Sequence, residues 1–255
     1  MSDLVLREDR GGVAILTLNR PDKVNALSGE MFEKLEEHLK QIARQSSKIG
    51  LIILRGAGGN FSAGYDIKEM TSMVRAHAKP HYESEVIEFL ANMPQPSIAV
   101  VEGQCITGAL ELALACDLIV AAESARFNEA YSRWGLTPVW GLSLRLPRRV
   151  GSARAREIMF TCRTYDGRRA EQINLANYCF TDADLEAEVE TLAADILANS
   201  WYSNQVCKRV LIETDALPLA EAHSLEIFKN EGLAPDAEKR LRAFLDRKKS
   251  PESSS

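Results

Sequence analysis

Ser97-Ile98-Ala99-Val100-Val101-Glu102-Gly103-Gln104-Cys105-Ile106-Thr107-Gly108-Ala109-Leu110-Glu111-Leu112-Ala113-Leu114-Ala115-Cys116-Asp117-Leu118-Ile119-Val120-Ala121-Ala122 reads as strand, glycine turn, short buried helix and strand. Gly108 stands where the helix begins, so its backbone N–H lacks an intrahelical partner and lies at the positive end of the helix dipole. Glu111 follows three residues later and returns to roughly the same face. A carboxylate and an anion donor thus overlook one small volume. The bland alternative is that Gly103 and Gly108 serve only a tight turn and close packing, with Glu111 favoured by the dipole. A second donor segment, Phe61-Ser62-Ala63-Gly64-Tyr65-Asp66-Ile67-Lys68, follows another apolar strand and tips the balance. Two strand-end loops that each offer a backbone N–H are the usual build of an oxyanion hole.

The chain has 255 residues, of which 45% are hydrophobic, enough for a large core in one main α/β unit with a helical C-terminal part. A net charge of −5 and a pI near 5.6 argue against a general nucleic-acid surface, which must neutralise phosphates. Cys105, Cys116, Cys162, Cys179 and Cys207 are scattered and odd in number, with no Cys-x-x-Cys pair, so reduced thiols and a cytoplasmic location are expected. No apolar run approaches about 18 residues and no basic-then-apolar leader opens the chain, so no membrane association is expected.

Outward from the central stretch, Leu4–Arg7 and Val13–Leu18 flank Gly11-Gly12 as a hairpin, and Ser28 caps a helix that buries Met31, Phe32, Leu35, Leu39 and Ile42 and turns His38 to solvent. Gly50–Leu54 is a continuous apolar strand, as in a sheet covered on both faces. Gly56-Ala57-Gly58-Gly59-Asn60-Phe61 is no dinucleotide loop, because Phe61 holds the third glycine position. His77 and His81 are four apart, but Pro80 interrupts the helix a metal pair would need, and a polar loop is expected there. Asp166 caps a further helix, and beyond Asp184 helical patterns run over Leu185–Ala198, Asn204–Thr214, Leu219–Asn230 and Pro235–Arg247. A serine-hydrolase reading fails, since there is no Gly-x-Ser-x-Gly and His38, His77, His81 and His223 lie outside both loop motifs.

Phe61 to Glu69 and Glu102 to Leu112 resemble the two hallmark segments of the crotonase family, the enoyl-CoA hydratase and isomerase superfamily. Gly135-x-x-Pro138-x-x-Gly141-x-x-x-Arg145-Leu146 matches a third motif, and Asn19-Arg20-Pro21 with Asn25-Ala26-Leu27 extends the likeness from about residue 4 to about 248. The resemblance implies an α/β fold, a crotonase-like ββα spiral core over 1–195, with a helical oligomerisation segment over 196–249 and a tail at 250–255. It implies an acyl-CoA thioester as substrate, no separate cofactor, and assembly as a homotrimer or dimer of trimers. Carried over by position, Tyr65 and Gly108 are the oxyanion donors, Ala63, Asp66 and Ile67 lie near the adenine, and Lys23, Val24 and Ala26 line the coenzyme A arm. The resemblance also has the region from Met70 to Met93 border the acyl pocket, and Trp134 and Trp140 are pocket candidates for a bulky acyl group, or else core or subunit-contact residues.

The chain departs from the hydratase pattern at one position. Family hydratases place a second glutamate four residues after the phenylalanine of the next segment; counting from Phe127 puts Tyr131 there, with Glu129 two residues early. A tyrosine with a pKa near 10 is a neutral donor at pH 7 and a poor base. Glu111 is then the single principal acid/base, which suits proton transfer between carbons or protonation of an enolate. Enoyl-CoA hydratase/isomerase remains the class name. The alternatives are a CoA-thioester decarboxylase and a catalytically inactive acyl-CoA binding protein.

Overall fold

The structure, a computed structural model, describes residues 3–76, 81–230 and 232–249. The strands are β1 (Val5–Arg10), β2 (Val13–Leu18), β3 (Leu51–Gly56), β4 (Ser97–Val101), β5 (Gln104–Ile106), β6 (Leu118–Ala122), β7 (Arg126–Asn128), β8 (Thr164–Asp166) and β9 (Tyr178–Phe180). The helices are α1 (Gly29–Ala43), α2 (Ile67–Ala76), α3 (His81–Ala91), α4 (Gly108–Leu114), α5 (Leu142–Val150), α6 (Ser152–Thr161), α7 (Gly167–Gln172), α8 (Leu185–Ala198), α9 (Trp201–Thr214), α10 (Leu219–Lys229) and α11 (Ala237–Lys249). Six strands form one sheet in the order β1-β2-β3-β4-β6-β9, parallel except for the β1–β2 hairpin. A second sheet has the order β5-β7-β8.

The apolar runs of the parallel strands are continuous because both sheet faces are covered. Ile52 and Leu54 of β3, Ala99 and Val101 of β4 and Ile119 and Ala121 of β6 join the main core with α1, α3 and α4. Their alternates Leu51, Ile53, Ile98, Val100 and Val120 face Leu185, Val189 and Ala193 of α8. Both expected caps are made: Ser28 Oγ accepts from Met31 N at 3.2 Å and Asp166 Oδ1 from Arg169 N at 2.8 Å. The segment expected as a polar loop is instead helical in α2 and again from His81 in α3, while His77 lies outside the described residues, as does the 250–255 tail. His38 is half-buried rather than solvent-facing, with its Nε2 3.2 Å from Val5 O, because α1 lies along β1.

Two contacts tie α9 to the sheet. Trp201 fills the space above Gly50, where an added Cβ would lie 2.5 Å from the indole. Buried Lys208 donates to Gln95 O at 3.0 Å and to Asp117 Oδ2 at 2.8 Å, and the same carboxylate oxygen accepts from Ser97 N and Oγ. No helix among the described residues is long and apolar enough to cross a membrane.

Candidate active site

The site forms where two loops leave the parallel sheet and run side by side. Ser62 and Cys105 are bridge partners, with Ser62 N donating to Gln104 O at 2.8 Å and Ile106 N to Ser62 O at 3.2 Å. Gly64 keeps the loops in contact: at φ +89° its missing Cβ would lie 2.6 Å from both Ile106 O and Thr107 Oγ1. Three residues beyond each bridge partner come Tyr65 and Gly108. Among the described residues, no acceptor takes the backbone N–H of either. Thr107, at φ +48°, turns the chain into α4 so that Gly108 is its first residue.

Glu111 follows on α4 and is 0% exposed. Its Oε1 accepts from Trp140 N at 3.0 Å and Leu142 N at 3.1 Å, and its Oε2 from the Tyr131 hydroxyl at 2.5 Å. Burial pushes the Glu111 carboxyl above the usual carboxylate range, while Tyr131, Leu142 and Trp140 pull against that shift. Burial and then the Glu111 charge drive the Tyr131 hydroxyl far up, so Tyr131 is a neutral donor at ordinary pH. Among the described residues Oε1 therefore has both lone pairs occupied, whereas Oε2 keeps one open.

Tyr131, the residue reached by counting from Phe127, lies against Glu111. Glu129 also turns inward, at 1% exposure, but its Oε1 accepts from Tyr131 N at 2.7 Å and its Oε2 has no partner among the described residues. Burial raises its carboxyl as well. The donors that sequence reasoning missed are the N–H groups of Trp140 and Leu142. Their only signal is Gly141, whose φ of +102° lets the peptides on either side turn toward one carboxylate.

A third strand of the site comes from the N-terminal part. Ala63 N donates to Val24 O, Leu27 N to Gly64 O and Asp66 N to Leu27 O, at 2.7–2.9 Å, so Lys23, Val24, Ala26, Ala63, Asp66 and Ile67 gather along one rim. Asn25 locks the turn, accepting from Arg20 N and donating to Ala57 O and Asn60 O. Burial of Asp66 opposes its ionisation, but the Lys68 N–H, the Arg20 guanidinium at 2.9 Å and Lys23 outweigh it and hold the carboxyl below its usual range. Ile67 is 73% exposed beside it. Trp140 is 4% exposed and packs edge-on against Phe32 and Tyr65, whereas Trp134, at 67%, lies on the surface. The Tyr65 hydroxyl sits 2.9 Å from Glu83 and 3.3 Å from Glu69. No cluster of metal-ligating side chains occurs among the described residues.

The family model described as enoyl-CoA hydratase/isomerase matches residues 8–252. The chain belongs to the enoyl-CoA hydratase/isomerase family. It is 31% identical over 248 residues to the "Probable enoyl-CoA hydratase echA8" of Mycobacterium leprae, covering 96% of each chain. An enoyl-CoA hydratase crystal structure from Bacillus anthracis superposes with a TM-score of 0.90 at 28% identity, again over 96% of both chains. A Thermobifida fusca protein solved in complex with acetoacetyl-CoA gives a TM-score of 0.81 at 27% identity, over 89% of this chain and 92% of that one. The fold is the crotonase fold expected from the sequence.

Proposed function

We propose that this member of the family acts on an acyl-CoA thioester through an enolate, with Glu111 as its single principal acid/base and no separate cofactor. The observation that carries this reading is the Glu111 environment: a fully buried carboxylate whose Oε1 accepts two hydrogen bonds and Oε2 one, three residues after a Gly108 N–H that has no acceptor among the described residues. In the step, Oε2 takes a proton from carbon. The C–H bond breaks, an O–H bond forms, and the electron pair moves to the thioester oxygen. There the N–H groups of Tyr65 and Gly108 receive the negative charge; one such donor is typically worth about 3–4 kcal/mol of barrier. Return of the same proton to a second carbon completes a double-bond shift without water.

Tyr131 in place of a second glutamate supports isomerisation over two-carboxylate hydration, because a neutral phenol cannot serve as the base for water at pH 7. Loss of carbon dioxide from a malonyl-type thioester would end in the same enolate and need only its protonation. The adenine end of coenzyme A is assigned to Ala63, Asp66 and Ile67, with Lys23, Val24 and Ala26 along the arm. Homotrimeric assembly, or a dimer of trimers, accords with the exposed Leu219, Phe228 and Leu241 of the C-terminal helices, and sedimentation would test it.

The deciding experiment is mass spectrometry of enoyl, saturated and branched malonyl thioesters incubated in heavy water with the wild type and Glu111→Gln. Isomerisation or α-hydrogen exchange that requires Glu111 is the expected result. Hydration as the fast reaction would overturn the single-carboxylate reading, loss of carbon dioxide would select the decarboxylase, and binding without turnover would select the inactive binding protein.

A further inference from the structure

Trp140 faces two spaces. On one side its ring covers Gly108: a Cβ built there would lie 2.4 Å from the indole. Phe32 and Tyr65 hold the ring edge-on, with centroids at 5.2 and 5.4 Å. On the other side Trp140 and Gly141 are part of the wall of a groove of about 790 Å³ between α3, α5 and α9, open to solvent along Leu144 and Leu211. That volume is ample for a ligand. Its apolar surface comes from Ala91, Val139, Leu144, Leu211 and Ile212. The charged side chains around it engage one another, with Arg145 on Glu88, Arg148 on Asp215 and Lys208 on Asp117, so the groove suits an apolar occupant.

Resting on the acyl-CoA reading, we infer that Trp140 sets the acyl-chain length: its indole closes the passage from the thioester carbonyl to this groove. The wild type is confined to short acyl groups, and the groove is a bed for a hydrocarbon tail that the indole separates from the thioester site. Opening the passage lets each added methylene move from water into an apolar space, a gain of about fourfold in kcat/KM per methylene until the groove is full.

The test compares wild type, Trp140→Ala and the double variant Trp140→Ala with Ala91→Phe on saturated and enoyl thioesters of four, eight and twelve carbons. It reads Glu111-dependent proton exchange and, in parallel, equilibrium binding. The quantity is the ratio of long-chain to short-chain kcat/KM, which an overall loss of activity leaves unchanged. Trp140→Ala should raise this ratio at least tenfold, and Ala91→Phe should reverse the gain by refilling the groove. If Trp140→Ala does not fold, Trp140→Leu carries the same comparison with a smaller expected rise. An unchanged ratio with short-chain turnover intact, or a wild type that already prefers twelve carbons, would overturn the role of Trp140 alone. Neither binding nor exchange of any thioester by the wild type would overturn the acyl-CoA reading beneath it.

Discussion

Replacing Tyr131 by Phe removes one hydroxyl and keeps the ring. The lost contact is the 2.5 Å bond to Glu111 Oε2, made between two buried groups, one of them charged. Hydrogen bonds to charged groups contribute about 1.5–3 kcal/mol, and one pKa unit corresponds to about 1.36 kcal/mol, so the Glu111 carboxyl should rise by roughly 1–2 units. The carboxyl already stands above its usual range because of burial, and the Trp140 and Leu142 N–H groups remain in place. The reactive form is the carboxylate, which is lost as pH falls through this pKa. The acidic limb of kcat/KM should therefore move to higher pH by about 1–2 units. The assay is a pH profile of proton exchange with a short-chain thioester, for wild type and Tyr131→Phe. A limb that stays in place or moves to lower pH would show that the hydroxyl does not stabilise an ionised Glu111. A collapse of the plateau with the limb unmoved would make Tyr131 itself the proton donor.

Three further outcomes follow from the same geometry. Because the native Glu111 pKa is raised, its burial favours folding only below that pKa and costs stability above it. Glu111→Gln should therefore lose turnover while keeping or raising the thermal midpoint at pH 8; a marked fall in Tm would contradict the sign. Gly108→Ala drives a methyl into the Trp140 ring, which should cost about 1–3 kcal/mol in urea denaturation and, by displacing the proposed oxyanion donor, about 10²–10³ in kcat. Combining it with Trp140→Phe should recover part of the stability, and no recovery would place the clash elsewhere. Lys208→Met removes a buried ammonium from Asp117, which is itself exposed and keeps its two Ser97 donors, so the cost lies in the Gln95 carbonyl left without its donor and urea denaturation should register a loss of about 1–2 kcal/mol.

The stretch from Ser97 to Ala122 was legible because its signals are local: β-branched runs, a glycine turn and an apolar helix of fixed period. Ser28 and Asp166 were legible as caps for the same reason. The second sheet was not, since β5, β7 and β8 are each three residues long and their pairs Cys105–Phe127 and Phe127–Tyr165 are set by distant chain contacts. Its first strand lies inside what reads as a glycine turn. The helices either side of the Pro80 segment were masked by that proline and by polar composition. At the site, the meeting of Tyr131 with Glu111 was legible by counting along a family pattern. The clamp by Trp140 N and Leu142 N was not, because a backbone donor has no letter of its own. Trp140 was legible as a pocket candidate, yet its double exposure to Gly108 and the outer groove is a property of packing alone.

The bridge between Ser62 and Cys105 lies three residues before Tyr65 on one loop and three before Gly108 on the other. The two loops thus work as a pair of equal rulers measured from a common mark. Gly64 between mark and amide is fixed, since a Cβ there would lie 2.6 Å from Ile106 O and Thr107 Oγ1, whereas a side-chain change at Ala63 or Tyr65 leaves the residue count, and so the proposed donor amides, in step. A single insertion or deletion in either loop would put the two amides out of step by about 3.3 Å, a residue's rise along an extended chain. This pair of loops can therefore vary in composition while remaining fixed in length, and an insertion scan across 62–65 and 105–108 should find no tolerated site where a substitution scan finds several.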